Sequence, residues 1–156
     1  MRITVLAGGV GAARFLRGLR AAVRDAEITV IGNTGDDITL YGLRVCPDLD
    51  TVMYTLGAGI NEEQGWGRAD ESFTVQRELA AYGAGTDWFA LGDRDIATHI
   101  TRTRMLTGSI PSSSSFPPGP WIRRMSTIMS ATVGPSPCRA ASISFLTSST
   151  LSGWQR

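Results

Sequence analysis

Residues 5–19, VLAGGVGAARFLRGL, pass from an apolar run through three glycines into an amphipathic stretch, an order that leaves few ways to fold. RITVL just before the turn carries the β-branched residues of a short strand. Gly8, Gly9 and Gly11 let the main chain reverse tightly. Residues 12–23 then put Ala12, Phe15, Leu16, Leu19 and Val23 on one helical face. EITVIGN follows after a short link as a second strand. Strand, glycine turn, helix and strand make a βαβ unit, whose right-handed crossover leaves the two strands parallel. The expected class is α/β, a partial, Rossmann-like wound parallel sheet with helices on its faces.

The pattern continues for about a hundred residues. ITLYGLRV reads as a third extended stretch, and Asp48 or Asp50 can cap a helix that runs to about Leu56 and stops at Gly57. NEEQGWGRAD is a polar loop. Asp70 can cap ESFTVQRELAAYG, a helix expected to bury Phe73, Leu79 and Tyr82 and to stop at Gly83. DWFALG reads as a buried strand, and DRDIATHITRTRML as the helix after it.

A discontinuity follows. All fourteen acidic residues lie at or before Asp95, whereas residues 107–156 hold four arginines, thirteen serines, six of the seven prolines and no Asp, Glu or Lys. Eleven arginines against fourteen acids give residues 1–106 a formal charge of −3, and the four arginines give the remainder +4. The domain is therefore placed at 1–106, with 107–156 an irregular or disordered Ser/Pro/Arg-rich tail. A disordered tether is the plain reading of such a tail. Tethers are usually rich in Glu, Lys and Gln, however, and this tail scatters Trp121, Ile122, Phe145 and Trp154 without period, as an out-of-frame reading of a GC-rich gene would. A frameshift after about Leu106 is the expectation.

The overall charge of +1 supplies no concentrated basic face for nucleic acid or an anionic membrane. Cys46 and Cys138 lie far apart with no Cys/His cluster beside them, so they read as thiols of a reducing cytosol. No stretch has the ~18 apolar residues of a spanning helix. A soluble cytoplasmic protein with a small ligand is expected.

Four polar clusters sit where strands end, the usual ligand crevice of a wound sheet. Gly8, Gly9 and Gly11 can bring free N–H groups and the positive end of a helix dipole to a phosphate, or can simply make a tight turn. The loop lacks the Lys-Ser/Thr of a Walker motif, Arg14 stands where a dinucleotide fingerprint needs a small residue, and Asn33 stands where a ribose-binding acid is expected. Nicotinamide is disfavoured. In NTGDD, Asn33 and Thr34 offer neutral hydrogen-bonding groups and Asp36 and Asp37 carboxylates that can select a base or ribose; a plain Asx turn is the alternative. In PDLD, Asp48 and Asp50 on an extended segment would project to one side and share a hard cation such as Mg²⁺, unless one of them only caps the next helix. In LGDRD, the Arg94 fork can meet phosphate or carboxylate oxygens, or pair locally. His99 has no triad partner and is assigned to packing. Trp66, Trp88 and Tyr41 are assigned to core or rim.

Taken together, ITVLAGGVGAARFLRGL, NTGDD, GLRVCPDLDTVMYTLG with GWGR, and AYGAGTDWFALGDRDIATHITRTRML closely resemble the amino-terminal third of the 2-phospho-L-lactate transferase family, in particular its actinobacterial phosphoenolpyruvate transferase branch. The resemblance runs from residue 1 to 106. It implies a transferase of coenzyme F420 biosynthesis that moves a phosphoenolpyruvate or 2-phospho-L-lactate group from a guanosine-diphosphate-linked donor to a deazaflavin precursor, releasing GMP with Mg²⁺ present. It further implies that the glycine turn receives donor phosphates, that NTGDD holds the nucleotide, that Asp50 contacts the acceptor or the metal, and that Arg94 contacts the acceptor or an oxyanion. An intact member is compatible with a homo-oligomer. With the later part of the family pattern missing, this chain is expected to be truncated, poorly stable and inactive. A non-catalytic guanine-nucleotide-binding module with a partner-recruiting tail is the alternative, and a product with no defined activity a third.

Overall fold

The computed structural model describes residues 1–86, 88–107 and 141–145. Strand β1, Arg2–Ala7, pairs in parallel with β2, Glu27–Gly32, through helix α1, Gly9–Ala22, so the expected βαβ unit is present. The register sets Ala7 opposite Gly32, and Asn33 N–H donates to the Ala7 carbonyl at 2.8 Å. Both strands therefore end together, with Gly8 and Asn33 side by side.

Helix α1 begins three residues earlier than its apolar period suggested, and takes in Gly9 and Gly11. Ala13 and Leu16 are buried, with Ala12, Leu19 and Val23 packed at their margin. Phe15 is 59% exposed, against expectation. At about 100° per residue it lies roughly 100° from the centre of the Leu16 stripe, too far round to reach the core. Helix α2, Pro47–Leu56, packs on α1 and is buried from Leu49 through Thr55. Val30, Leu16, Val52 and Met53 meet in the core between the parallel pair and these two helices.

Three expected elements differ. ITLYGLRV is not one strand but a hairpin, β3, Ile38–Leu40, and β4, Leu43–Val45. Tyr41 and Gly42 both take positive φ, 53° and 75°, the type I′ geometry that folds two strands back at two residues. Helix α3 is only Thr74–Ala81 and buries no side chain; Phe73 and Tyr82 are exposed. Asp70 sits at positive φ outside it rather than capping it. DWFALG forms no ladder among the described residues. Its start is tied to the hairpin instead, Thr86 N–H donating to the Tyr41 hydroxyl at 3.0 Å, and Trp88 is exposed while Leu91 is buried.

Helix α4, Asp93–Leu106, lies against β4 and satisfies its backbone from the side. Arg44 N–H donates to Thr103 Oγ1 at 2.7 Å, and Arg102 donates to the Arg44 carbonyl at 3.3 Å. Finally β5, Ala141–Phe145, runs antiparallel along the outer edge of β2, giving the order β1-β2-β5. The expectation of an irregular tail is corrected for these five residues, where an open strand edge supplies the pairing. The rest of that expectation falls outside the described residues. The architecture is a mixed α/β one with a small parallel sheet, a partial Rossmann-like arrangement. No described helix is long and apolar enough to cross a membrane.

Candidate functional site

The common end of β1 and β2 delivers the glycine turn to Asn33 and, from α2, to Asp48. Asn33 Nδ2 donates to Asp48 Oδ2 at 2.7 Å. A Cβ on Gly8 would stand 3.2 Å from both Asn33 Cβ and that carboxylate oxygen, so a side chain here would press on these two neighbours and fill the space between them. Gly9 opens the helix at φ +66°, a conformation in which a Cβ is strained. The N-cap has no side-chain bond and the first turn of α1 holds no acid, which leaves its N–H groups for an incoming anion. Asn33 also closes the Asx turn, Gly35 N–H donating to its Oδ1 at 3.0 Å. Thr34 follows in that turn and Asp36 is exposed beyond it, whereas Gly11 has open space where a side chain would begin.

Asp48 and Asp50 lie in the first turn of α2, not on an extended segment. Two residues apart on a helix are about 200° apart around its axis, so the two carboxylates diverge. Asp48 turns to the glycines. Asp50 turns inward, where Arg102 holds both its oxygens, Nη1 reaching Oδ2 at 3.1 Å and Nη2 reaching Oδ1. Burial opposes the Arg102 charge, but the Asp50 carboxylate outweighs it and raises the guanidinium pKa further. Arg102 Nη1 also donates to His99 Nδ1 at 3.3 Å. Burial lowers the His99 pKa to about 4, so the imidazole is neutral at pH 7. Its 3.7 Å approach to Asp50 is therefore a packing contact within the network and not an ion pair.

The amino end of α4 is fixed by an exchange of caps. Glu71 accepts from Arg94 N–H at 2.8 Å and Asp95 N–H at 2.9 Å. Asp93 in turn accepts from Thr74 N–H at 3.1 Å, Val75 N–H at 3.0 Å and the Ser72 hydroxyl at 2.7 Å, and the Ser72 bond leads in lowering its pKa to about 2. Each carboxylate thus caps the helix that follows the other's segment. This pins Asp95, which is 9% exposed and whose pKa burial raises to about 6.

A hollow of about 370 Å³ joins these parts. Gly9 and Asp48 line one part of it, Asp50, Tyr54, Asp95 and His99 its polar wall, and Trp66, Trp88 and Phe89 contribute aromatic surface. Its volume lies within the range of small-ligand pockets. Arg94 is not among the lining residues: its side chain is exposed and donates to the Ala69 carbonyl at 3.3 Å. Gly9, Asp48 and Asp50 therefore share one hollow, Gly8 and Asn33 border it, and Gly11, Thr34, Asp36 and Arg94 stand outside its wall. Sequence reasoning missed Arg102, Asp95 and Tyr54. Asp95, His99 and Arg102 recur at spacings of four and three, one face of α4, and that polar stripe was the available signal.

The donor set suits one hard cation held from one side. Among the described residues no three His, Cys, Asp or Glu side chains gather as for a metal. Mg²⁺ commonly takes only one or two protein carboxylates and completes its shell with phosphate and water. Asp48 fits that role, beside the glycine turn. Asp50 does not, because Arg102 occupies both its oxygens.

Asp95 makes the first expected result. A carboxyl whose folded pKa exceeds its unfolded value of 3.8 is fully destabilising above about pH 6, and the penalty vanishes as pH falls below about 4. Asp95→Asn should therefore raise the unfolding free energy by ~2 kcal/mol at pH 7. The urea midpoints of the two proteins should converge at pH 4; a gap independent of pH would contradict the assignment.

A glycine turn, a carboxylate beside it and a buried polar wall thus share one end of a mixed α/β fold. The chain matches the sequence profile of the 2-phospho-L-lactate transferase CofD family over residues 3–143 and belongs to that family. The match extends past Leu106, where the resemblance read from motifs had ended. Over 114 residues it is 75% identical to a phosphoenolpyruvate transferase of Streptomyces coelicolor, covering 73% of this chain and 36% of the relative. The phosphoenolpyruvate transferase of Thermobifida fusca is 69% identical over 122 residues, 73% of this chain and 38% of that protein. That of Nocardia farcinica is 59% identical over 113 residues, 72% of this chain and 34% of that protein. The chain thus spans about a third of the length of these relatives.

Proposed function

We propose that the hollow serves a transferase of coenzyme F420 biosynthesis, which moves a phosphoenolpyruvate or 2-phospho-L-lactate group from a guanosine-diphosphate-linked donor to a hydroxyl of a deazaflavin precursor and releases GMP. The observation that carries this reading is the convergence of Gly8, Gly9, Asn33 and Asp48 at the paired ends of β1 and β2. The main-chain N–H groups of the glycine turn would receive the donor's diphosphate, and Asn33, Thr34 and Asp36 would flank its nucleoside. Bound at Asp48, Mg²⁺ would neutralise charge on the bridging phosphate oxygens. Asp50 would present an acceptor surface whose orientation Arg102 sets. Arg94 would serve only by swinging in from the rim. The aromatic surface of Trp66, Trp88 and Phe89 would exclude water from a flat ring.

The test is titration of the 156-residue chain with GDP, with and without Mg²⁺. Binding should strengthen at least about tenfold with the cation, and Asp48→Asn should abolish that gain while leaving the metal-free affinity within about threefold. Mg²⁺-independent binding, or none, would reject the arrangement. Nucleotide binding without GMP release from the loaded donor would favour a binding module over a transferase.

A further inference from the structure

His99 is the single histidine of the chain. It sits 2% exposed on the face of α4 that carries Asp95 and Arg102, and it lines the hollow. The two nitrogens of its ring have different surroundings. Arg102 Nη1 reaches Nδ1 at 3.3 Å, and Asp50 Oδ2 stands farther off at 3.7 Å. Nε2, on the opposite edge of the ring, meets no hydrogen-bonding group among the described residues, yet it is not sealed off. The slight exposure that this buried ring keeps therefore includes Nε2 and opens on the hollow.

Arg102 decides which nitrogen carries the proton. A guanidinium offers only donors, so a nitrogen that faces one can only accept. Nδ1 is thus the bare nitrogen, and a neutral imidazole then carries its proton on Nε2. Burial favours the same neutral form. Arg102 cannot turn away to release Nδ1, because both Asp50 oxygens and the Arg44 carbonyl hold it in place. The wall of the hollow therefore presents one N–H donor, fixed in tautomer and in direction. A donor buried without an acceptor forfeits its hydration, which a bound ligand would make good.

The surroundings select that ligand. Asp50, Asp95 and Glu71 outnumber Arg68 and Arg102 at this wall, so an anionic acceptor is disfavoured. Trp66, Trp88 and Phe89 add aromatic surface to the same hollow. A planar heterocycle with an uncharged carbonyl on its edge suits both: the ring covers apolar surface and the oxygen accepts one hydrogen bond. We infer that His99 is a substrate-binding residue whose Nε2–H donates to an uncharged ring carbonyl of a heterocycle held in the hollow. This rests on the transferase reading and names the atom that orients the ligand. The carbonyl belongs either to the guanine of the donor or to the deazaflavin ring of the acceptor.

With one histidine present, long-range ¹H–¹⁵N NMR of the whole chain reports this ring without ambiguity. At pH 7 the free protein should show Nε2 protonated and Nδ1 bare; the opposite tautomer, a mixture or an imidazolium would overturn the inference. GDP with Mg²⁺ and a ribityl deazaflavin are then added separately. One of them should move the Nε2–H proton downfield, and the one that does so identifies the source of the carbonyl. His99→Phe should weaken that ligand about tenfold, whereas His99→Gln, whose amide N–H can reach the same point, should keep it within about threefold. A merely structural histidine would give equal losses in the two variants, which would overturn the inference. Should His99→Phe fail to fold, the parent spectra and His99→Gln still decide. Binding of both ligands with no change at Nε2 would overturn the carbonyl contact alone. Failure of the parent to bind either ligand would overturn the transferase reading and the contact with it.

Discussion

Arg102→Ala should destabilise the chain by about 3–5 kcal/mol, the range found when one partner of a buried ion pair is removed. The size follows from what remains behind. Asp50 would be left in the core, 5% exposed, with its two guanidinium bonds gone. The Arg44 carbonyl and His99 Nδ1 would lose the same donor, so β4, α2 and α4 would loosen together. Against the 5–15 kcal/mol of an ordinary domain, this loss is a large fraction. Asp50→Asn combined with Arg102→Met should recover much of it, since neither variant side chain strands a charge. Urea unfolding of the parent, Asp50→Asn, Arg102→Met and the double variant gives the coupling directly. A coupling near zero would show that the two side chains are held by packing and not by each other.

Gly8→Val should reduce GDP affinity by more than about tenfold while leaving the fold intact. Gly8 adopts φ −145°, ψ 130°, extended backbone that valine takes readily, so the substitution carries no intrinsic strain. Its Cβ would instead arrive 3.2 Å from Asp48 Oδ2 and from Asn33 Cβ, and its methyl groups would fill the crook in which the proposed phosphate sits. The neighbouring Gly9, at φ +66°, would not separate these effects, because any side chain there also strains the helix start. Calorimetric titration of GDP beside a thermal melt reads both quantities. An unchanged affinity would move the phosphate away from the turn; a collapsed melt would mean that Gly8 is a folding residue first.

Much of the fold was legible because local rules acted without competition. In β1, α1 and β2, a β-branched run, glycines, a 3.6-residue period and a second run all pointed to one βαβ unit. Legibility failed where a short segment could satisfy two patterns. ITLYGLRV alternates well enough for a single strand, and only the positive φ shared by Tyr41 and Gly42 turns it into a hairpin. DWFALG has the composition of a buried strand, yet side-chain bonds from Tyr41 and Thr86 hold it outside the ladder. In the site, the glycine turn with Asn33 could be read because both lie at the ends of predictable strands.

The chain's own pattern settled the parallel pair, the glycine turn at its end and the helices that follow, since each depends on neighbours within a few residues. Tertiary structure decided the rest: that Asp48 and Asp50 part company, that Arg102 and not Arg94 sits behind the hollow, and that Tyr54 and Asp95 come together at its wall. Those facts depend on which faces of α2 and α4 pack together. Residues some forty or fifty positions apart become partners only when the burial of Leu49, Val52 and Met53 has fixed how the helices are turned.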